Sequence, residues 1–288
     1  MRKPKVIVIL GHTATGKSDL AVKIAKKVNG EIISADSRQV YKGLDIGTGK
    51  VTKKEMKGIS HHLLDVANPK NQFTVAEYKK LAEEKIKEII ARGKTPIICG
   101  GTGFYIDAVT KGLVLPEVPP NKKLRKMLEK KKVETLFKIL TKLDKSRAKN
   151  IDPHNKVRII RAIEIARTLG KVPQIKTEVR RLFKFIKIGL YLPPDKLKKK
   201  VKKRVRGMFK DGLLKEIKKL KKAGVSNKRL KELGFEYFNP TEEKVIAETL
   251  KYAKRQMTWF KRDKEIKWFD ASLSESRRVA KNAIQVLK

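Results

Sequence analysis

Residues 5–18 read Lys-Val-Ile-Val-Ile-Leu-Gly-His-Thr-Ala-Thr-Gly-Lys-Ser, and this stretch predicts the fold. The apolar, β-branched residues 6–10 predict a buried strand. Residues 11–18 fit the pattern G-x-x-x-x-G-K-[ST] without a mismatch, and in such a loop backbone N–H groups and a lysine surround phosphate oxygens. Helical spacing follows over 18–27, so a helix would direct its positive end at the anion. The stretch therefore predicts an α/β protein that binds a phosphorylated ligand.

The rest of the chain contains further strand and helix patterns. Apolar segments at 31–35, 96–99, 183–192 and 266–269 predict strands, and an amphipathic helix is predicted over 74–92. Strands that alternate with helices in this order predict a parallel sheet with helices on both of its faces.

The proline-rich segment at 115–120 marks a change of pattern. From there to about residue 180 the periodicity is helical, without a convincing strand. We therefore predict a P-loop NTPase-like parallel sheet core, formed by residues 1–115 and 181–288, with an inserted all-helical domain over residues 116–180.

The charge of the chain is strongly positive and unevenly distributed. There are 72 Lys and Arg residues against 30 Asp and Glu residues, a formal net charge of +42. Residues 1–115 contain 21 basic and 11 acidic residues, a balance of +10, which leaves +32 for residues 116–288. Surfaces of this kind bind phosphate backbones by releasing counterions. A lysine-rich thermophile surface would carry more balancing glutamate, so we expect a nucleic acid partner.

Cysteine content and hydropathy indicate the compartment. The single cysteine, Cys99, excludes an internal disulfide, and the apolar residues 6–10 are too few for a signal peptide or a membrane span. We expect a cytoplasmic protein that has no membrane contact and acts as a monomer.

Asp36 directly follows the strand predicted over 31–35. Ligands of open α/β sheets bind at the carboxyl ends of strands, so this carboxylate is expected beside the phosphate loop. Its alternative role is to cap the turn that begins at Ser37. The strand at 96–99 ends in glycine, where a P-loop NTPase would carry an aspartate.

Three functions remain open from these residues. The first is a kinase-like enzyme that moves phosphate from a nucleoside triphosphate. The second is an enzyme whose substrate carries a pyrophosphate that the loop holds and that leaves in the reaction. The third is an RNA-binding protein with a nucleotide switch.

Several motifs, in order along the chain, resemble those of the tRNA dimethylallyltransferases, also called tRNA isopentenyl transferases. They are Gly-His-Thr-Ala-Thr-Gly-Lys-Ser at 11–18, Asp-Ser-Arg-Gln-Val-Tyr at 36–41, His-His-Leu-Leu-Asp at 61–65, Gly-Gly-Thr-Gly-Phe-Tyr at 100–105, Arg-Ile-Ile-Arg-Ala-Ile-Glu at 158–164 and Ala-Lys-Arg-Gln-Met-Thr-Trp at 253–259. The second and the last are far more specific than a phosphate loop alone.

The resemblance implies a reaction. A dimethylallyl group would pass from dimethylallyl diphosphate to the N6 amine of the adenosine that lies 3′-adjacent to the anticodon of tRNAs, with release of diphosphate and with Mg²⁺ as cofactor. A P-loop kinase that acts on a small or nucleic acid substrate is the alternative.

The resemblance also assigns the diphosphate site. Its predicted contacts are Gly11, His12, Thr13, Ala14, Thr15, Gly16, Lys17, Ser18 and Arg255. Lys17 would stabilise the charge that builds on the departing oxygens, and the Ser18 hydroxyl would hold Mg²⁺. Asp36 is implied as the general base for the adenine amine, and Thr102 as a further catalytic residue.

The anticodon stem-loop is the implied partner, since single-stranded loop bases are splayed out and read by side chains. The predicted tRNA contacts are Asp36, Ser37, Arg38, Gln39, Thr102, Arg125, Val157, Arg158, Ile159, Ile160 and Arg161. Arg158 and Arg161 are predicted to share one face of a helix that begins at Asp152.

Residues 231–236 depart from the family pattern. Lys231 stands where the family has arginine, Phe235 replaces its tyrosine, and Glu236 replaces its second basic residue. Lysine cannot form the bidentate contact of arginine, so the sequence leaves open whether Lys231 or Arg229 replaces the family arginine as a diphosphate contact.

Overall fold

The computed structural model describes residues 3–174, 176–177 and 182–272. Packing divides the chain into two compact units, which we call the core unit (1–112 and 180–288) and the helical unit (113–179). The boundary predicted between residues 115 and 116 lies three residues further along the chain than the observed one, which follows residue 112.

A six-stranded sheet forms the centre of the core unit. Its strands are β1 (Lys5–Gly11), β2 (Gly30–Ser34), β3 (His61–His62), β4 (Thr95–Gly100), β5 (Lys184–Tyr191) and β6 (Lys267–Asp270). They lie in the order β3-β2-β4-β1-β5-β6, and all neighbours are parallel. The predicted parallel sheet is confirmed. The sequence does not predict β3, because two residues are too few to show a periodicity.

Helices connect these strands and build the helical unit. They are α1 (Lys17–Lys27), α2 (Lys53–Met56), α3 (Val75–Ala91), α4 (Gly103–Thr110), α5 (Lys122–Glu129), α6 (Val133–Leu143), α7 (Lys145–Lys149), α8 (Lys156–Leu169), α9 (Pro194–Lys210), α10 (Leu213–Lys222), α11 (Asn227–Leu233) and α12 (Glu242–Phe260). The helix predicted over 74–92 is α3, which begins with a capping box between Thr74 and Glu77.

The core unit buries apolar side chains on both faces of its sheet. Val8 of β1 and Ile86 of α3 belong to one apolar cluster, and Ile9 of β1 and Ile24 of α1 belong to another. Neighbouring residues of β1 enter opposite clusters because side chains alternate across a strand. Helices therefore cover both faces, as predicted, and the loops at the carboxyl ends of the strands carry the candidate site.

The helical unit has an apolar core of its own. Its fully buried members are Leu128, Leu136, Leu140, Ile159 and Ile163, which come from α5, α6 and α8. A helix with a buried apolar face needs such partners, because its own hydrogen bonds contribute little stability in water.

Helix α8 begins later than predicted. It begins at Lys156, because the side chain of Asn155 accepts a hydrogen bond from the N–H of Arg158 (3.1 Å) and caps the helix. Asp152, the predicted start, accepts the N–H of His154 (3.0 Å) in the preceding turn. The prediction is wrong at this boundary because two capping residue types lie close together in the sequence.

Candidate active site

A pocket of about 470 Å³ lies at the carboxyl ends of β1, β2 and β4 in the core unit. Its wall is formed by the phosphate loop, by residues 36–39 after β2, by residues 99–101 around the end of β4, and by side chains of α9 and α12. The predicted residues Lys17, Asp36 and Arg255 all line it. This is where open α/β sheets bind their ligands.

Two glycines shape the phosphate loop. Gly11 has a positive φ of 138°, and a Cβ atom there would lie 2.1 Å from the carbonyl oxygen of Leu190 in the next strand. Gly16 adopts the left-handed conformation directly before α1. Only glycine fits the first position, so the wrapped form of the loop follows from its sequence.

Lys17 lies at the base of the pocket. Its Nζ donates a hydrogen bond to the carbonyl oxygen of His12 (2.7 Å). Burial lowers the pKa of Lys17 to about 8, and the positive charge of Arg204 adds to this effect. Because the ammonium group is poorly solvated and near another cation, an anion in the pocket would stabilise it.

His12 and Thr15 maintain the shape of the loop. The His12 side chain is buried, its Nε2 accepts the N–H of Leu192 (3.1 Å), and its Nδ1 donates to the carbonyl of Thr13 (2.9 Å). Burial lowers the pKa of His12, which favours this neutral form. The Thr15 hydroxyl donates to the carbonyl of His12 (2.9 Å). Both side chains therefore act on the conformation of the loop.

The carboxylate of Asp36 caps a turn and also lines the pocket. Its Oδ1 accepts the N–H groups of Arg38 (2.8 Å) and Gln39 (3.3 Å), which caps the turn after β2. Its Oδ2 has no hydrogen-bond partner among the described residues. One oxygen thus orients the group, and the other can accept a proton.

Thr102, at the N-cap of α4, supports the same turn. Its Oγ1 accepts the N–H of Ser37 (2.9 Å) and donates to the Ser37 hydroxyl (3.3 Å). Ser37 lines the pocket, whereas Thr102 lies outside the set of lining residues. The structure therefore gives Thr102 a supporting position, and its direct contact with a substrate stays a prediction.

Helix α12 carries two residues of the specific A-K-R-Q motif into the pocket. Arg255 lines the pocket and holds its guanidinium 5.7 Å from the ring centre of Tyr252. Gln256 accepts the N–H of Thr13 (3.0 Å) and donates to the carbonyl of Gly101 (2.8 Å). It ties the phosphate loop to the end of β4.

Arg204 of α9 is a pocket residue that sequence reasoning missed. Its guanidinium donates to the carbonyl of Thr48 (2.9 Å), and it is half-buried in the pocket wall. Helix α9 is rich in lysine and arginine, so composition cannot single out one of them. The spacing of residues could have identified Arg204, because it lies on the same helix face as the buried Val201, Val205 and Met208.

Neither Arg229 nor Lys231, the two candidates for the family arginine, lines the pocket. The Arg229 guanidinium donates to the carbonyls of Pro69 (2.8 Å) and Asn71 (2.7 Å), so it holds a loop and does not line the pocket. Lys231 is exposed and also lies outside the pocket wall. The additional cation comes from Arg204, which is remote in sequence from the departing motif.

Glu236 places a further carboxyl group in the pocket, beside Asp19, Asp36 and Glu55. Burial raises the pKa of Glu236 to about 7, although the positive charge of Arg38 partly opposes this effect. The group is neutral below this pH and adds a negative charge above it. An ionised Glu236 would repel a bound diphosphate.

We expect a pH effect from this group. The KM of the wild type for a diphosphate substrate should rise as the pH rises through 7, because ionised Glu236 repels the diphosphate. A rise of about three- to tenfold corresponds to a shift of up to about one pKa unit in Glu236 when the diphosphate binds. Glu236→Gln should remove this step and leave a separate step near pH 8, the pKa of Lys17. KM measured from pH 6 to 9 for both proteins tests this, and identical profiles would contradict it.

Stability should follow the same titration. Because the folded-state pKa of Glu236 exceeds its usual value of 4.5, the free energy of unfolding should fall as the pH rises from 4.5 to 7. Glu236→Gln should show a smaller decrease over that range, which thermal unfolding at several pH values would reveal.

The predicted tRNA contacts of the helical unit differ in exposure. Val157 is 78% exposed, and Arg158 is also exposed. Ile159 and Ile160 are buried in the apolar core, so their side chains are not presented at the surface. Of residues 157–160, only Val157 and Arg158 present their side chains at the surface.

Arg125 and Arg161 surround the buried carboxylate of Glu164 on α8. Arg125 donates to Glu164 through Nε (3.0 Å) and Nη2 (2.7 Å), and Arg161 forms a second ion pair with it. The N–H of Asn121 donates to the same carboxylate (2.6 Å). Arg161 also donates to the carbonyl of Val118 (2.9 Å). Arg125 therefore binds α5 to α8, and Arg161 binds α8 to the segment that leads into α5.

Glu164→Ala tests this structural role. We expect it to lower the free energy of unfolding by about 2 kcal/mol, less than for a fully buried pair, because both arginines keep partial access to water. Chemical denaturation measures the change. Glu134→Ala on the exposed surface of α6 is the control and should change stability little.

The fold and the pocket together define a P-loop α/β protein whose phosphate loop lies in the same pocket as a carboxylate. The family model described as IPP transferase matches residues 39–263. The chain is 40% identical over 280 residues to the tRNA dimethylallyltransferase of Anoxybacillus flavithermus, covering 92% of this chain and 90% of that protein. It is 38% identical over 286 residues to the tRNA dimethylallyltransferase of Bacillus subtilis, covering 93% and 91%. The chain belongs to the IPP transferase family.

Solved structures agree with this assignment. The tRNA isopentenylpyrophosphate transferase of Bacillus halodurans superimposes with a TM-score of 0.71 at 35% identity, covering 99% of this chain and 96% of that one. A eukaryotic dimethylallyltransferase acting on tRNA gives a TM-score of 0.81 at 27% identity, covering 99% and 80%. The family resemblance inferred from the motifs is confirmed. Within the described residues, no helix has the length and apolar character needed to cross a membrane.

Proposed function

We propose that this chain transfers a dimethylallyl group from dimethylallyl diphosphate to the N6 amine of the adenosine 3′-adjacent to the anticodon of tRNAs. Family membership supports the reaction class. The observation that carries the proposal is the pocket itself, where Lys17 and Arg204 line the same cavity as the oriented carboxylate of Asp36. Cations for a leaving diphosphate and a base for an incoming amine are the two requirements of such a transfer.

The phosphate loop, Lys17 and Arg204 would bind the diphosphate. As the bond from carbon to oxygen breaks, negative charge grows on the departing oxygens. Groups that are already oriented stabilise this charge without reorganisation at the moment of reaction. Arg255 lies on the same pocket wall and would add a further cation.

Asp36 would act on the nucleophile. The nitrogen of the adenine amine forms the new bond to carbon, and the proton that it loses passes to Oδ2 of Asp36. The exocyclic amine of adenine is a weak nucleophile, so a base within bonding distance is needed. The hydrogen bonds from Arg38 and Gln39 to Oδ1 keep the other oxygen directed away from the turn.

Ser18 would hold a magnesium ion through its hydroxyl group. It is exposed in the first turn of α1 and lines the pocket. No group of three or more His, Cys, Asp or Glu side chains forms a metal site in the part of the chain that the structure describes. This donor set fits Mg²⁺, which keeps several waters and binds mainly through phosphate oxygens. When bound, the ion would neutralise charge on the diphosphate.

We propose the tRNA anticodon stem-loop as the partner and the cytoplasm as the compartment. The balance of +32 over residues 116–288 supports a polyanionic partner. Arg38, Gln39 and Arg158 are the exposed or half-buried side chains proposed to contact it.

One experiment separates the functions that the sequence left open. The protein is incubated with dimethylallyl diphosphate, ATP and unmodified tRNA, the RNA is digested, and its nucleosides are weighed. A single adenosine that has gained a dimethylallyl group is expected. Phosphorylated product with ATP consumption would support a kinase instead. ATP-dependent RNA binding without a change in RNA mass would support a nucleotide switch.

A further inference from the structure

Glu216 of α10 is a buried carboxylate outside the pocket wall. Its Oε2 accepts the N–H groups of Asp45 (3.0 Å) and Ile46 (2.7 Å). Its Oε1 accepts the N–H of Gly47 (3.1 Å) and the hydroxyl of Tyr237 (2.9 Å). No Lys, Arg or His forms an ion pair with it among the described residues. Backbone dipoles of one loop therefore stabilise the buried charge.

The same loop continues directly into the pocket. The carbonyl of Thr48 accepts a hydrogen bond from Arg204 (2.9 Å) and one from the side-chain amide of Gln39 (3.4 Å). The carbonyl of Gly49 accepts a second bond from Gln39 (3.3 Å). Arg204 and Gln39 both line the pocket, so the position of this loop determines where they lie.

Two glycines allow the loop to lie close to its neighbours. A Cβ atom at Gly47 would lie 2.6 Å from the Tyr237 hydroxyl, and one at Gly49 would lie 2.2 Å from the Arg204 guanidinium. The loop is thus packed closely between Glu216 on one side and Arg204 on the other.

We propose that Glu216, together with Tyr237, is a positioning residue that holds loop 45–49 so that Arg204 and Gln39 are fixed in the diphosphate pocket. The proposal rests on the proposed function and adds residues that touch no substrate. A buried carboxylate that accepts four hydrogen bonds gives the loop one conformation. The Arg204 guanidinium, bound to that loop, is then oriented before the substrate arrives. Less conformational entropy is lost on binding, so the substrate binds more tightly.

A carboxylate is needed because two oxygens accept all four bonds. Glutamine has one oxygen, so Glu216→Gln satisfies one pair of donors and turns an amide N–H toward the other. Tyr237→Phe removes one donor and leaves the three backbone bonds in place. Burial raises the pKa of Tyr237, so its hydroxyl remains a donor at ordinary pH.

The matched control is Glu31→Gln. Glu31 is also buried in the core unit, and it accepts bonds from Lys94 (2.8 Å), Arg92 (2.7 Å) and His62 (2.6 Å). It does not line the pocket. This variant loses the charge of a buried carboxylate without disturbing loop 45–49. It therefore shows how much a loss of stability alone changes diphosphate binding and activity.

The test measures binding of inorganic diphosphate by calorimetry and kcat/KM for dimethylallyl diphosphate, below the Tm of every variant. Glu216→Gln should weaken both by about 10- to 100-fold, since small displacements of a positioned group have effects of this size. Tyr237→Phe should weaken them by about threefold, and Glu31→Gln by less than about twofold, although its Tm falls. In an Arg204→Gln background, Glu216→Gln should have almost no further effect.

Two results would overturn the proposal. One is equal diphosphate affinity in Glu216→Gln and Glu31→Gln. The other is full additivity of Glu216→Gln and Arg204→Gln. If Glu216→Gln does not fold, unchanged diphosphate binding by Tyr237→Phe would also overturn the proposal. A wild type that binds diphosphate but prenylates no tRNA would contradict the proposed function, whereas the binding measurements would still decide the role of Glu216.

Discussion

Asp36→Asn is expected to lower kcat by about 10²- to 10⁴-fold, the usual contribution of a positioned general base. The amide oxygen can still accept the N–H groups of Arg38 and Gln39, so the turn after β2 keeps its cap. The atom that replaces Oδ2 can no longer accept a proton. Binding of dimethylallyl diphosphate should therefore change little. Single-turnover kinetics with tRNA and calorimetry with the diphosphate substrate measure the two effects separately.

Asp36→Ala separates the base from the cap. It loses both oxygens, so we expect the same loss of turnover together with weaker tRNA binding through the disordered turn. Normal turnover in Asp36→Asn combined with loss in Asp36→Ala would show that Asp36 acts only as a cap. Normal turnover in both variants would remove Asp36 from the mechanism.

Lys17→Ala is expected to lower kcat/KM for dimethylallyl diphosphate by about 10²- to 10³-fold, because it removes a cation aimed at charge that grows in the transition state. Part of the loss should appear in KM, since the bound diphosphate is already negative. Lys26→Ala is the control, because Lys26 is an exposed lysine on the same helix and lies outside the pocket wall. A loss of similar size in both variants would point to damage of α1 instead of a missing charge.

The stability of Lys17→Ala provides a second readout. The folded-state pKa of about 8 lies below the usual 10.5, so in the wild type the free energy of unfolding rises as the pH rises from 8 to 10.5. At pH 7 the folded state therefore carries the cost of a poorly solvated ammonium group. Lys17→Ala should leave the Tm at pH 7 unchanged or raise it while it abolishes most activity. A large decrease in Tm would mean that Lys17 mainly stabilises the fold.

Some site residues could be identified from local sequence alone. The phosphate loop has a fixed spacing of glycines and lysine, and this motif identifies it without knowledge of its distant contacts. Asp36 follows a buried strand, and the carboxyl ends of parallel strands meet at one edge. For both, the local pattern and the parallel sheet that it predicts were sufficient to place the side chain.

Other site residues could not be identified in this way. Arg204 is one of many cations on α9, and its inward direction depends on which face of the helix packs against α12. The sequence around Arg125 and Arg161 does not distinguish them from exposed arginines, yet both form ion pairs with the buried Glu164. Charge alone does not distinguish a cation that binds RNA from one that stabilises a buried carboxylate.

The sequence by itself determined the parallel sheet, the phosphate loop and the carboxylate beside it, because short-range periodicity and glycine geometry specify them. Only the tertiary structure decided which distant cations complete the pocket and which buried carboxylates hold its loops. Glu216 binds a loop about 170 residues earlier in the chain. Hydrogen bonds across that separation form only when helices and strands pack together, and no local pattern encodes their partners.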